Sequence, residues 1–184
     1  MEVQRQALTL DEFLALPEGE ESLELIDGEG VPKVSPKYFH AVLQAALLVL
    51  LGGWCRGKGR VLPEWAVALK RQSADWVPVP DLTYISYERL PRTWCKNEAC
   101  PVAPELVIEI ISLGQTFGQL TAKAGDYLKA GVVQVWIVDA EARSVTIFYP
   151  DRSPETFDGN QPLDTPDLVD LVLTPSQIFD QARV

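Results

Sequence analysis

Two apolar, β-branched runs, Leu106–Ile111 and Val132–Val138, bracket a short helical stretch, Ala122–Ala130, that closes at Gly131. Apolar runs of that length fit strands buried on both faces, and a helix between two such strands is the connection a parallel pair requires. An α/β sheet is therefore expected around this crossover. Val145–Tyr149 follows Val138 across the turn Ala140–Arg143 and pairs naturally with it, so the sheet should be mixed.

Upstream, Thr9-Leu10-Asp11-Glu12 has the spacing of a capping box and predicts a short helix from about Thr9 to Pro17. Leu23–Ile26, the turn Asp27-Gly28 and Val31–Val34 predict a hairpin. From Pro36, the recurrence of Phe39, Leu43, Leu47 and Leu50 predicts a long helix ended by Gly52-Gly53. Its other face is also apolar, which implies burial on two sides, within the domain or in a homodimer. Val61–Leu69 and Val77–Ile85 read as strands, the second pushed by Pro78 and Pro80 toward a sheet edge or an irregular start. Residues 86–104 read as a connection, and Ser176–Asp180 as a last short helix. With 184 residues, 47% of them hydrophobic, one domain spanning 1–184 is expected.

The net charge of -10 excludes a protein that coats nucleic acid through bulk electrostatics, because such binding depends on Lys and Arg displacing phosphate counterions. Residues 30–71 nevertheless hold seven basic residues (Lys33, Lys37, Arg56, Lys58, Arg60, Lys70, Arg71) against one acid, Glu64. A phosphate-facing flank and a set of solvated charges fit this asymmetry equally. No signal-like apolar run opens the chain and Ala45–Cys55 is too short to span a bilayer, so a cytoplasmic, membrane-free protein is expected. Cys55, Cys95 and Cys100 have no metal-ligand spacing and read as reduced thiols.

Gly52 to Gly59 matches the spacing of a phosphate-binding loop, but a helix precedes it and Gly59 stands where a hydroxyl is needed. Nucleotide hydrolysis is set aside on that ground. Five tryptophans invite a base-stacking role, yet packing is the expected one.

Asp81, directly after Pro80, and Glu109, inside the apolar run Leu106–Ile111, are the residues whose chemistry needs a reason. Two carboxylates suit a magnesium site beside a phosphate, and Lys123 on the following helix suits the charge that develops there. The plain alternative is a turn Asp, a Glu paired with a basic residue, and a solvated Lys.

The segments Leu23–Gly28, His40, Pro80-Asp81, Ala103–Ser112, Lys123 with Tyr127, Gly131 and Trp136–Asp139, in that order, resemble the Uma-type family within the PD-(D/E)xK nuclease superfamily. The resemblance covers most of the chain. It implies a restriction-endonuclease-like fold, a mixed β-sheet flanked by helices, and a metal-dependent endonuclease hydrolysing nucleic acid, with DNA as the leading substrate. It further implies Asp81 and Glu109 as ligands of Mg²⁺, with Mn²⁺ as a substitute, Glu24 as a third acid, and His40 contacting metal-bound water or phosphate. Where the superfamily places a Lys two residues after the Glu, this chain has Ile111, so Lys123 would supply the amine. Gln119 and Leu113 stand where relatives carry Asp and Pro, which leaves open a catalytically inactive binding or assembly module.

Overall fold

The computed structural model describes residues 7–17, 22–33 and 36–184. A six-stranded mixed sheet in the order β10-β9-β8-β7-β6-β3 is flanked by four helices. Its strands are β3 (Gly59–Pro63), β6 (Leu82–Ser86), β7 (Leu106–Ile110), β8 (Gln134–Asp139), β9 (Ser144–Phe148) and β10 (Glu155–Asp158). Two ribbons lie outside it, β1 (Leu23–Ile26) with β2 (Glu29–Pro32), and β4 (Leu69–Arg71) with β5 (Ala74–Trp76). The helices are α1 (Leu10–Leu14), α2 (Tyr38–Trp54), α3 (Phe117–Lys129) and α4 (Pro175–Ala182).

β7 and β8 run parallel through the α3 crossover, and β9 returns antiparallel, as the apolar runs predicted. Because strand side chains alternate, β7 feeds both faces of the sheet. Leu106, Ile108 and Ile110 meet Leu43, Leu47 and Leu51 of α2 and Ile178 and Phe179 of α4. Val107 points the other way, among Leu120, Ala124 and Tyr127 of α3. Glu109 shares the parity of Val107 and so faces α3.

Several boundaries differ from the sequence reading, each for a local reason. The run Val61–Leu69 is not one strand: β3 ends at Pro63, and Glu64 has a left-handed φ of 50°, which turns the chain out of the ladder before β4. The run Val77–Ile85 also divides. Val77 exchanges two backbone hydrogen bonds of 3.1 Å with Leu25 of β1, while Pro78 and Pro80, lacking an N–H, delay β6 until Leu82. α2 continues through Gly52 and Gly53, where a Cβ would meet only open space, and the reversal comes at Gly57, whose φ is 83°.

The buried stripe of α2 is His40, Leu43, Ala46, Leu47 and Leu51: Leu43 and Leu47 fall where expected, whereas His40 and Leu51 take the end positions expected of Phe39 and Leu50. α3 starts at Phe117 rather than Ala122, because Thr116 and Gln119 form a capping box. α4 starts the same way, at Thr174 and Gln177, and extends to Ala182. β10 was not anticipated; its alternation is masked by exposure on a sheet edge. The hairpin turn Asp27-Gly28 takes positive φ at both residues, 51° and 82°, as a two-residue turn demands. Val34, assigned to that hairpin from sequence, lies outside the described residues. No helix among the described residues is long and apolar enough to cross a membrane.

Gly59 opens β3 opposite Ser86, where an added Cβ would stand 2.5 Å from the Ile85 carbonyl oxygen. That oxygen belongs to a paired strand and cannot move alone. Gly59→Ala is expected to cost about 1–3 kcal/mol, read as a lower urea midpoint; an unchanged midpoint would show that the strand shifts freely.

Candidate functional site

The site forms where β6 begins and β7 ends. Leu82 pairs with Ile108, so the antiparallel register carried back one residue sets Asp81 across from Glu109. Both are almost fully buried, at 2% and 4% exposure. The Ile110 N–H donates to Asp81 Oδ2 at 2.6 Å, tying the two strands at this point.

Glu109 anchors one wing. Lys123 and Tyr127, four residues apart on one face of α3, both reach it: Tyr127 Oη donates to Oε1 at 2.7 Å, and Lys123 Nζ lies 3.1 Å from the same oxygen. Lys123 also donates to Glu24 Oε1 at 2.8 Å, and the Val79 N–H donates to that oxygen at 2.9 Å. Burial drives the Glu109 carboxyl above its usual range; the Lys123 charge opposes this, while Asp81 and Glu24 reinforce it. Burial disfavours the Lys123 ammonium, but Glu109 and Glu24 outweigh it and hold the amine above its ordinary value. Lys123 is therefore a cation, able to donate hydrogen bonds and to balance charge but not to accept a proton at neutral pH. Burial, then the Glu109 charge, pushes Tyr127 well above the usual phenol range, so it too acts as a donor.

Asp81 anchors the other wing. Lys33 Nζ lies 2.8 Å from Oδ1 and 2.5 Å from Glu64 Oε2. His40 Nε2 lies 2.9 Å from Oδ2. One helical turn further on, Gln44 Nε2 donates at 2.8 Å both to the Asp81 carbonyl and to Glu64 Oε1. Burial raises the Asp81 carboxyl, but the His40 hydrogen bond and the Lys33 charge prevail and hold it below the usual range. His40 is thus 6% exposed and braces Asp81. Its Nδ1 is buried with no partner among the described residues.

All five residues expected at the site, Glu24, His40, Asp81, Glu109 and Lys123, converge, and Lys33, Gln44 and Glu64 join them. The sequence carried one signal for the additions, the four-residue spacing of His40 and Gln44 on a helix. Lys33 and Glu64 were visible only as members of a basic stretch. The phosphate-facing flank does not materialise for most of that stretch. Lys33 pairs within the site, Lys70 with Asp75, and Arg71 with Asp27 and Asp126. Arg60 is spent on the carbonyls of Pro91 and Trp94, and Lys58 on that of Val169. Trp76 and Trp136 are core, Trp65 and Trp94 pack on each other, and Trp54 packs on Tyr84.

The donor set suits a hard cation. Four carboxylates (Glu24, Glu64, Asp81, Glu109) meet two lysine amines, so the acids outnumber the lysines by two. The hydrogen bonds to Glu24 and Glu109 all end on Oε1. Among the described residues there is no preformed cage of three or more His, Cys, Asp or Glu ligands. Magnesium, which keeps several of its waters and takes one or two carboxylates, fits such a site better than a cation needing a full protein cage. The flanking loop is structural: the Ser112 N–H donates to Gln115 Oε1, Gln119 caps α3, and Leu113 is exposed. Ile111, with the parity of Glu109, packs in the α3-side core, and Lys123 enters from the helix above.

Tyr127→Phe removes one donor from a buried carboxylate and is expected to cost about 1.5–3 kcal/mol. Chemical denaturation measures it, and no loss would mean that water replaces the hydroxyl.

No curated protein matches the chain significantly. Among solved structures, the "putative nuclease belonging to DUF820" from Anabaena variabilis is 27% identical, with a TM-score of 0.82 over 95% of this chain and 99% of that one. The mixed sheet and its flanking helices are thus shared over essentially the whole of both chains. Residues 10–176, a span holding every residue of the site, match the Uma2 family, described as "Putative restriction endonuclease", and the chain belongs to that family.

Proposed function

We propose that the protein is a metal-dependent phosphodiesterase hydrolysing nucleic acid, with DNA the substrate to test first. Asp81, Glu109 and Glu24 would be the oxygen donors for Mg²⁺, with Mn²⁺ as a substitute. The observation that carries this reading is a pair of buried carboxylates, Asp81 and Glu109, opposite each other at one sheet end, with Glu24 tied to Glu109 through the shared Lys123 amine. Buried like charges are costly unless a cation joins them. When bound, the cation supplies polarisation of a phosphoryl oxygen and a lowered pKa for water.

The chain's own residues then divide the remaining work. Lys123, a fixed cation, donates toward the attacking water and balances charge developing on phosphorus. Glu24 and Glu109 hold that amine between them. His40 and the Ile110 N–H fix the Asp81 carboxylate, and Tyr127 fixes Glu109. Plasmid and single-stranded DNA incubated with Mg²⁺ or Mn²⁺ should be cleaved, and Lys123→Ala should abolish the cleavage. No cleavage by the wild type, together with no calorimetric Mg²⁺ binding, would sink the proposal.

An inactive binding module is the second reading, favoured by the internal engagement of most basic residues near the site. It predicts Mg²⁺ or DNA binding without any hydrolysis. We also propose a homodimer through α2. The helix contains no charged residue, yet exposes Tyr38, Phe39 and Val49. For a chain of net charge -10, this is a face on which two copies meet without repulsion. Light scattering should return twice the chain mass; a monomer would remove the claim.

A further inference from the structure

We propose that Lys33 sets the cation affinity of the carboxylate site, as a built-in counter-ion that shares Asp81 Oδ1 with any bound metal; this rests on the metal-binding reading above. The geometry leaves few other places on Asp81. Oδ2 is occupied by the Ile110 N–H at 2.6 Å and His40 Nε2 at 2.9 Å, so Oδ1 is the oxygen left to face a ligand, and Lys33 stands 2.8 Å from it. The amine is well placed to stay: its side chain is 16% exposed, and Glu64 and Asp81 hold it from two sides. Burial disfavours its charge, but the two carboxylates outweigh that and raise it above an ordinary amine.

The ribbon that carries Lys33 explains the arrangement. Glu24 lies on β1, and Lys33 follows β2 directly, with its N–H bonded to the Ser22 carbonyl at 2.8 Å. One hairpin therefore sends an acid to the amine of α3 and an amine to the acid just before β6. These two reciprocal ion pairs clamp the hairpin over the site. A divalent cation at Asp81 must share or displace the amine, and a like charge a few ångströms away weakens its binding. Over about 4 Å, that repulsion is worth at least about tenfold in affinity even at a water-like dielectric.

The test is Mg²⁺ titration by calorimetry of the full chain, with the rise in melting temperature caused by Mg²⁺ as a second measure. Lys33→Met and Lys33→Gln should each bind at least about tenfold more tightly than wild type, and Lys33→Arg, which keeps the charge, should stay within about threefold. Circular dichroism confirms that each variant is folded, and the two neutral variants guard against one failing to fold. Unchanged or weaker binding in the folded neutral variants overturns the role of Lys33. Absence of Mg²⁺ binding in wild type and variants alike overturns the metal reading instead.

Discussion

Asp81→Ala and Glu109→Ala are each expected to remove calorimetric Mg²⁺ binding and to lower DNA cleavage by roughly a thousandfold or more. The two residues stand opposite each other where the β6–β7 register is carried back one residue, and each anchors a different wing of the site. Conservative changes sharpen the test. Asp81→Asn keeps the shape and can still receive the Ile110 N–H, but removes the charge that faces Lys33 and His40. It should fold like wild type and still lose Mg²⁺. Full binding in Asp81→Asn would mean that Glu24 and Glu109 suffice, and that the site lies on the α3 side alone.

Lys123→Met should destabilise the protein by about 3–5 kcal/mol in the absence of metal, because it leaves Glu24 and Glu109 buried without their shared cation. For a chain of this size, that corresponds to a fall in melting temperature of roughly 10 °C. Added Mg²⁺ should recover part of the loss, since a divalent cation takes over charge compensation for the same carboxylates. Cleavage should not recover, because the donor proposed to balance charge on the reacting phosphate is gone. A variant as stable as wild type without Mg²⁺ would show that water already compensates these acids, and would weaken the case for a negative site that demands a cation.

The strand, helix and strand of the crossover were legible because their signals are local: apolar runs, a closing glycine and a polar return turn. The same local physics explains the missed boundaries. The capping boxes at Thr116 and Thr174 lie upstream of the apolar pattern, so α3 and α4 begin earlier than that pattern suggests. The division of Val61–Leu69 was harder to anticipate, since it depends on Glu64 adopting a left-handed φ, a conformation stabilised by what surrounds it. That bend is also what delivers Glu64 to Lys33 and Gln44.

From sequence alone came the class of fold, the two carboxylates, Lys123 as a candidate and the family likeness, because each is carried by residue type and short-range order. Only the tertiary structure decided what those charges do to one another. Residues 31 positions or more apart, Lys33 with Glu64 and Asp81, and Glu24 with Lys123, become ion pairs through the register of the sheet and the docking of one hairpin. A buried ion pair offsets the desolvation of its charges only in close, hydrogen-bonded geometry, so compensation is set by a few ångströms of packing that no local pattern encodes.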